Sequence, residues 1–375
     1  MAPFELPLQV VHNRPFVQLD YRSGLGNPAG VWTWLDTGGG AVLLGRRLRE
    51  ELSLPSTGAP VQEDGARLTP LAPPEVTAQG RPLSLDGCRV FGVEHDWIAP
   101  AAFDAPAFLP ARFFSRHSVT FDYPGRTLRL DQPGMLAENA ALPADVHPKT
   151  AFVRVELEIA GERLGFLLDT GASYSMVSEA VLETWKRKHP AWRSVTGAHG
   201  YAQMTGSAFE AGCRMVRVPE VGWGPLRLTD VGFVTRPTGV FEEYMSSRMT
   251  APVIGALAGN VLRHLRVTVD YQNERLAVAP AQTACGDDLH DLGLTVRQTG
   301  GRCFVQAVAE SAHEHTRREV RVGDEVLAAG ETDLQDRSLT EVVEALSAQE
   351  GTGLEVWLNR DGETRRRHLT TVAVL

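Results

Sequence analysis

An apolar strand running into Asp-Thr-Gly occurs twice in this chain, and that duplication leaves few architectures open. The copies are VWTWLDTGGGAVLL around Asp36 and LGFLLDTGASYSMV around Asp169. Two further patterns repeat in the same order. GCRVFGV, from Gly87, is matched by GCRMVRV, from Gly212; SVTFDYPGRTLRL, from Ser118, is matched by RVTVDYQNERLAV, from Arg266. The three pairs are 133, 125 and 148 residues apart. Preserved order with drifting spacing is what two similar lobes with different loop insertions produce. At ordinary residue usage a given tripeptide is expected about 0.1 times in a chain of this length, so two copies behind strand-like residues are not accidental.

The repeat divides the chain into a first lobe over residues 1–140 and a second over 141–282. Residues 131–149, rich in Pro, Ala and Asp, read as the connection between them. Most segments within the lobes are short strands. VTFDY and VTVDY alternate in polarity and are followed by turn residues, Pro124-Gly125 and Gln272-Asn273. One helix is expected from Ser178 to Lys188. Ser178 caps it, Val181, Leu182 and Trp185 share a face, Lys186, Arg187 and Lys188 suit its negative end, and Pro190 stops it.

From about residue 288 the texture changes, which marks a third unit over 288–375. GLTVRQTGGRCFVQAVA predicts two strands around a Gly-Gly turn, and VRVGDEVLAAG a strand pair broken at Gly323-Asp324. SLTEVVEALSAQEG predicts a helix with a Ser338/Glu341 capping box, ended by Gly351. LEVWLNRDGETRRRHLTTV predicts a hairpin turning at Asp361-Gly362. The expected fold class is therefore mainly β.

Composition narrows the partners. With a net charge of −9 there is no electrostatic case for nucleic-acid binding, and Arg365-Arg366-Arg367 reads as a solvated strand edge. No stretch is apolar for long enough to span a bilayer. The N-terminus lacks the basic start and apolar run of a signal peptide, so the default location is cytoplasmic. Cys88, Cys213, Cys285 and Cys303 form no CxxC pair, and buried free thiols are expected. His313 and His315 precede Arg317 and Arg318 and read as exposed loop residues. No metal or cofactor is expected.

The two aspartates carry the candidate chemistry. Hydrolysing an amide without metal or side-chain nucleophile takes two carboxyl groups on one water, one ionised to accept its proton and one protonated to polarise the carbonyl. Carboxylates about 3 Å apart do not both ionise cheaply, so they share a proton. An apolar strand delivers each Asp to a dry floor. Gly38 and Gly171 let backbone approach and donate N–H groups, and Thr37 and Thr170 offer hydroxyls that tie the two loops together. The plainer reading is two strand-terminal turns without chemistry, which the duplication with matched flanks argues against.

These residues resemble the pepsin and retropepsin superfamily of aspartic peptidases, and more closely the bacterial two-lobed members with a C-terminal PDZ domain. The resemblance rests on LGFLLDTGASYSMVSEAVL and VWTWLDTGGGAVLL, and on FFSRHSVTFDY, from Phe113, and GNVLRHLRVTVDY, from Gly259, which resemble the segments that close each lobe. In the last unit it rests on LGLTV, VRVGDEVLAAG and the capped helix. It covers residues 10–370. It implies two retropepsin-like β-barrel lobes in a bilobal acid-protease fold, followed by a PDZ-like domain. Asp36 and Asp169 are then the catalytic pair, supported by Thr37, Gly38, Thr170 and Gly171. The partners are a polypeptide substrate and a peptide or protein ligand at the PDZ groove, and one copy of the chain suffices to build the site. Flap hairpins over the cleft are expected at HGYAQMTGSAFEAG, from His199, and VTAQGRPLSLDG, from Val76.

The chain departs from the family pattern in three places. The hydrophobic-hydrophobic-Gly support of the first lobe has Pro110 near the expected Gly; in the second lobe either Val253-Ile254-Gly255 or Leu257-Ala258-Gly259 fits. Gly39 and Ala172 stand where pepsin-like sites have a hydroxyl, which predicts a milder pH optimum than pepsin's. Asp291 stands where a carboxylate-binding loop would have Gly. A non-catalytic peptide-binding scaffold using the same cleft and groove is the alternative. A serine nucleophile at Ser173 or Ser175 lacks any GxSxG or SxxK pattern.

Overall fold

The computed structural model describes residues 4–24, 26–63, 66–96, 105–132, 134, 136 and 142–375. Much of the expected connection, residues 133, 135 and 137–141, lies outside the described residues. The fold is mainly β, as expected, and the sequence repeat reappears as a repeated pairing pattern.

In the first half, strands Arg14–Arg22 and Val31–Asp36 pair antiparallel, and Ala107–Pro110 lies parallel to Val31–Asp36 with Pro110 opposite Asp36. In the second half, Val153–Ile159 and Glu162–Leu168 pair antiparallel, and Gly255–Leu257 lies parallel with Leu257 opposite Leu168. The short strand after each Asp-Thr-Gly, Val42–Leu44 or Met176–Ser178, pairs antiparallel to that third strand and parallel to a further one, Val90–Gly92 or Leu226–Arg236. Both aspartates thus stand at the end of a buried strand, alternately buried over Val31–Asp36 and buried on both faces over Gly165–Leu168.

The third repeated pattern joins the halves. The hairpins Ser118–Asp122/Thr127–Asp131 and Leu265–Asp270/Arg275–Pro280 meet edge to edge, with Thr120 opposite Thr268 and their hydroxyls 2.8 Å apart. Phe4–Pro7 and Leu142–Pro143 flank them to complete a six-stranded sheet. Its apolar face, with Val119, Phe121, Val267 and Val269, is buried in one continuous core shared by both halves. Burying four such side chains contributes on the order of 6–12 kcal/mol before entropy is counted.

The helix Glu179–Lys188 forms as its sequence predicts. The Ser178 hydroxyl accepts from the Val181 N–H at 3.2 Å, and Leu182 and Trp185 are buried.

Beyond residue 288 a second buried cluster, Leu292 to Leu369, lies under a sheet ordered Leu294–Thr299, Arg302–Val308, Glu325–Ala329, Gly353–Arg360, Glu363–Thr370. Two of its turns are of the type that needs two left-handed residues. Gly300 and Gly301 have φ of +57° and +76°, and Asp361 and Gly362 +54° and +84°. The helix Leu339–Ala345 carries the expected capping box but stops six residues before Gly351. Ser347 donates its hydroxyl to the Val343 carbonyl at 2.7 Å and bridges to Asp291, which draws the chain off the helix. Val320–Val322 is not the expected strand either. The Asp324 carboxylate takes the Arg321 N–H at 2.8 Å and both nitrogens of an Arg360 fork at 2.7 Å, which bends these residues into a turn. The Arg365-Arg366-Arg367 run lies on the final hairpin and pairs with Glu363, Glu355 and Glu319. All four cysteines are free.

Candidate active site

The two Asp-Thr-Gly loops hold each other. The Thr170 N–H donates to Thr37 Oγ1 at 3.0 Å, and Thr37 Oγ1 donates to the Leu168 carbonyl at 2.6 Å. Reciprocally, the Thr37 N–H donates to Thr170 Oγ1 at 3.1 Å, and Thr170 Oγ1 donates to the Leu35 carbonyl at 3.0 Å. All four bonds are buried and cross between the halves, so each loop is fixed by the other lobe's backbone. The glycines are there for close approach. A Cβ on Gly171 would lie 2.0 Å from Asp36 Cγ, and one on Gly38 would lie 2.9 Å from Asp169 Cγ.

This lock brings Asp36 and Asp169 side by side, close enough for the two carboxyl groups to act on each other. Asp169 is buried at 9% exposure, while Asp36 keeps a partly open face. Burial raises both above the ordinary carboxylate range; for Asp36 the neighbouring charge of Asp169 raises it further. Their support is unequal. Asp169 Oδ1 accepts the N–H groups of Gly171 at 2.9 Å and Ala172 at 3.1 Å, whereas Asp36 Oδ1 accepts only that of Gly38, at 2.6 Å. The Gly39 N–H turns instead to the Asp36 carbonyl at 3.3 Å. Negative charge is therefore held better on Asp169 and the shared proton better on Asp36, although the pair titrates as one unit.

Of the two supports expected in the second half one forms, and in the first half the support is shifted by one residue. The Gly259 N–H donates to the Ala172 carbonyl at 3.0 Å, and the Ala111 N–H donates to the Gly39 carbonyl at 3.2 Å. Leu257-Ala258-Gly259 is thus the element in the second half, and Ala111 rather than Pro110 takes the glycine's place in the first. The missing hydroxyl after the first motif has a steric cause: a Cβ on Gly39 would lie 2.2 Å from the Phe108 ring. Ser173 and Ser175 are structural. Ser173 donates to the Tyr201 carbonyl at 2.7 Å, and Ser175 donates to Asn260 Oδ1 at 2.7 Å. Among the described residues no group of His, Cys, Asp and Glu is arranged to hold a metal ion.

The expected flaps differ from what the strands form. Glu75–Ala78 and Arg81–Leu83 do form a hairpin, with Val76 opposite Leu83. It pairs with Arg14–Arg22 as Arg214–Trp223 pairs with Val153–Ile159, so it corresponds to the turn at Gly224 in the second half. The position before the inner strands is filled in the first half by the hairpin Val61–Glu63/Ala66–Pro70. Residues 199–212 connect the antiparallel strands Ser194–Thr196 and Arg214–Trp223, but fold as two short 3-10 turns, Gly200–Ala202 and Ala208–Gly212, rather than as a hairpin of their own. The buried Glu210 carboxylate forces this shape by accepting the N–H groups of Met204, Thr205 and Gly206 at 2.7, 2.9 and 2.9 Å.

Sequence reasoning missed Arg14. It is buried, its guanidinium lies 5.2 Å from the Trp34 ring centre, and Nη2 donates to the Met204 carbonyl at 3.4 Å. Burial lowers it to about 10, and the charges of Asp36 and Asp169 hold it up. In return it pulls both carboxyl groups toward ionisation. The one signal was a charge next to the apolar run Pro15-Phe16-Val17 at the start of its strand.

A protein-family model described as aspartyl protease matches residues 155–256. That is a little over a quarter of the chain, and it contains Asp169 but not Asp36. No curated protein matches the chain. Among solved structures, the PDZ domain of the carboxy-terminal protease from Vibrio cholerae, in complex with peptide, is 12% identical. The match covers 22% of this chain and 93% of that one, with a TM-score of 0.21. A photosystem II D1 C-terminal processing protease is 24% identical over 23% of this chain, with a TM-score of 0.22, and only 24% of its own length is spanned. With TM-scores this low, neither likeness bears on what the chain does. No helix among the described residues is long and apolar enough to cross a membrane.

Proposed function

We propose that the chain is an aspartic endopeptidase that hydrolyses peptide bonds with a water held between Asp36 and Asp169. The reading is carried by one observation: two loops, locked together by reciprocal threonine bonds, set the Asp36 and Asp169 carboxyl groups against each other. The aspartyl-protease match over residues 155–256 supports it.

In this mechanism the better-supported anion, Asp169, takes a proton from the water while Asp36 gives its proton to the carbonyl oxygen. The resulting diol collapses as a proton passes to the leaving amine, and the pair returns to its singly protonated state. An extended substrate adds strand-like hydrogen bonds in the cleft, and side-chain pockets choose the bond that is cut. Burial weakens both carboxyls as acids and places the working range at weakly acidic pH, since on acidification the pair gains its proton before ordinary carboxylates do.

Asp169→Asn removes the base and is expected to lower cleavage of a denatured protein by about a thousandfold or more. A pepstatin-like mimic of the tetrahedral state should bind the wild type. A purified chain that binds peptides but never cuts them between about pH 3 and 7 is instead a scaffold.

A further inference from the structure

The strand Leu294–Thr299 is the free edge of the C-terminal sheet, pairing only with Arg302–Val308 among the described strands. Its outward backbone groups are nevertheless engaged. The side-chain amide of Gln203 donates to the Leu294 carbonyl at 3.3 Å and accepts from the Val296 N–H at 2.7 Å. The Gly206 carbonyl accepts from the Gln298 N–H at 3.2 Å. On the other side stands the helix Leu339–Ala345: a Cβ on Gly206 would lie 3.5 Å from the Leu339 side chain. Tyr201 packs against the C-terminal core.

Residues 200–206 therefore lie along an edge strand and beside a helix, where an added peptide strand would bind. They run in the same direction as the strand, and one glutamine amide does the work of a backbone peptide group. The head of this groove is also taken. The Asp291 carboxylate accepts the Gly293 N–H at 2.5 Å, an amide that a ligand's terminal carboxylate would otherwise use.

The same residues reach the carboxylate pair. Ser173, two residues past Gly171, donates to the Tyr201 carbonyl at 2.7 Å, and Arg14 donates to the Met204 carbonyl at 3.4 Å. His12 ties the segment to the helix, with Nε2 3.0 Å from the Gln203 carbonyl oxygen and Nδ1 3.2 Å from Thr340 Oγ1.

We infer that the groove between Leu294–Thr299 and Leu339–Ala345 is a docking site for an extended peptide, occupied in cis by residues 200–206. A peptide from another polypeptide enters only by displacing that segment, and its entry loosens the loop after Asp169. The groove binds internal stretches of chain rather than free C-termini, because the Asp291 carboxylate occupies the Gly293 amide at its head and would repel a second carboxylate there. The effect on catalysis rests on the peptidase reading; the occupancy does not.

The test uses the full chain with Asp36→Asn, so that no probe is cut. The probe is a fluorescent synthetic peptide with the sequence of residues 199–212, and binding is read by anisotropy. Cis occupancy lowers apparent affinity by the fraction of time the groove is free. Adding Gln203→Ala, which deletes two hydrogen bonds of the occupant, should tighten binding roughly tenfold or more. Gln203→Glu keeps the side-chain volume but loses the donor to Leu294, and it should act in the same direction if the alanine variant folds poorly. Equal affinity in all three chains, or binding to none, overturns the inference. Saturating probe should also speed amide exchange at Gly171–Ser173, and unchanged exchange there overturns the link to the carboxylate pair. Binding is read without turnover, so failure here leaves the peptidase reading standing, and an inactive chain that binds as expected leaves this inference standing.

Discussion

Arg14 places a positive charge beside two acids that burial alone would keep protonated. The sign of its effect is fixed by electrostatics. A cation stabilises the carboxylate form, so its loss lets the pair keep its protons to higher pH. Arg14→Gln is expected to move both limbs of the kcat/KM profile against pH upward, and a profile that stays in place would show that the charge is screened from the pair. Arg14 also shows where sequence reading stops. Asp36, Asp169, Thr37, Thr170 and the two motif glycines were legible because their positions follow from a local pattern repeated in order. Arg14 and Phe108 matter through what the fold packs them against, and no spacing along the chain announces that. The Phe108 ring accounts for Gly39, which in the sequence is only a departure from pattern.

The paired loops form an element with a stake in both halves. Thr37→Val removes a hydroxyl that accepts from the Thr170 N–H and donates to the Leu168 carbonyl, leaving two buried polar groups without partners. That should cost about 2–5 kcal/mol, measured as a shift of the urea midpoint with unchanged slope. A loss under about 0.5 kcal/mol would mean that water reaches the loop. Strands and hairpins were legible wherever apolar alternation met a strong turn, as at Gly300-Gly301 and Asp361-Gly362. The segment from His199 connects two antiparallel strands, but its turn-rich composition did not show that it would fold as 3-10 turns rather than as strands of its own. What decides its shape is Glu210, whose carboxylate gathers three successive amides, and a lone Glu in sequence gives no hint that it will be buried.

The second half is also tied to the segment leading into the C-terminal sheet by a buried charge pair. Arg217, on the long strand Arg214–Trp223, meets Asp288 at 2.8 Å with almost no exposure of either side chain, and its Nη2 donates to the Leu375 carbonyl at 3.3 Å. Asp288→Ala would strand the guanidinium without its counter-charge, at an expected cost of about 3–5 kcal/mol. Chemical denaturation read both by tryptophan fluorescence and by circular dichroism checks this. A variant as stable as the wild type would show that the arginine finds another partner. The twofold organisation was legible in the sequence through the order of its repeats. The placement of residues 200–206 in the C-terminal groove was not, because it depends on contacts between residues more than ninety positions apart.

The six-stranded sheet that joins the two halves bears on how the chain is made. Strand Ser118–Asp122 finds its neighbour, Leu265–Asp270, only after some 140 further residues have been added. At about 5–20 residues per second this takes roughly 7–30 s on the ribosome. Through that interval the nascent chain carries a ready-made strand edge with Val119 and Phe121 beside it, a template for pairing with the wrong molecule. Production of this protein should therefore be limited by aggregation of half-synthesised chains more than by the stability of finished ones, and slower growth at low temperature or chaperone supply should raise its yield where stabilising substitutions do not.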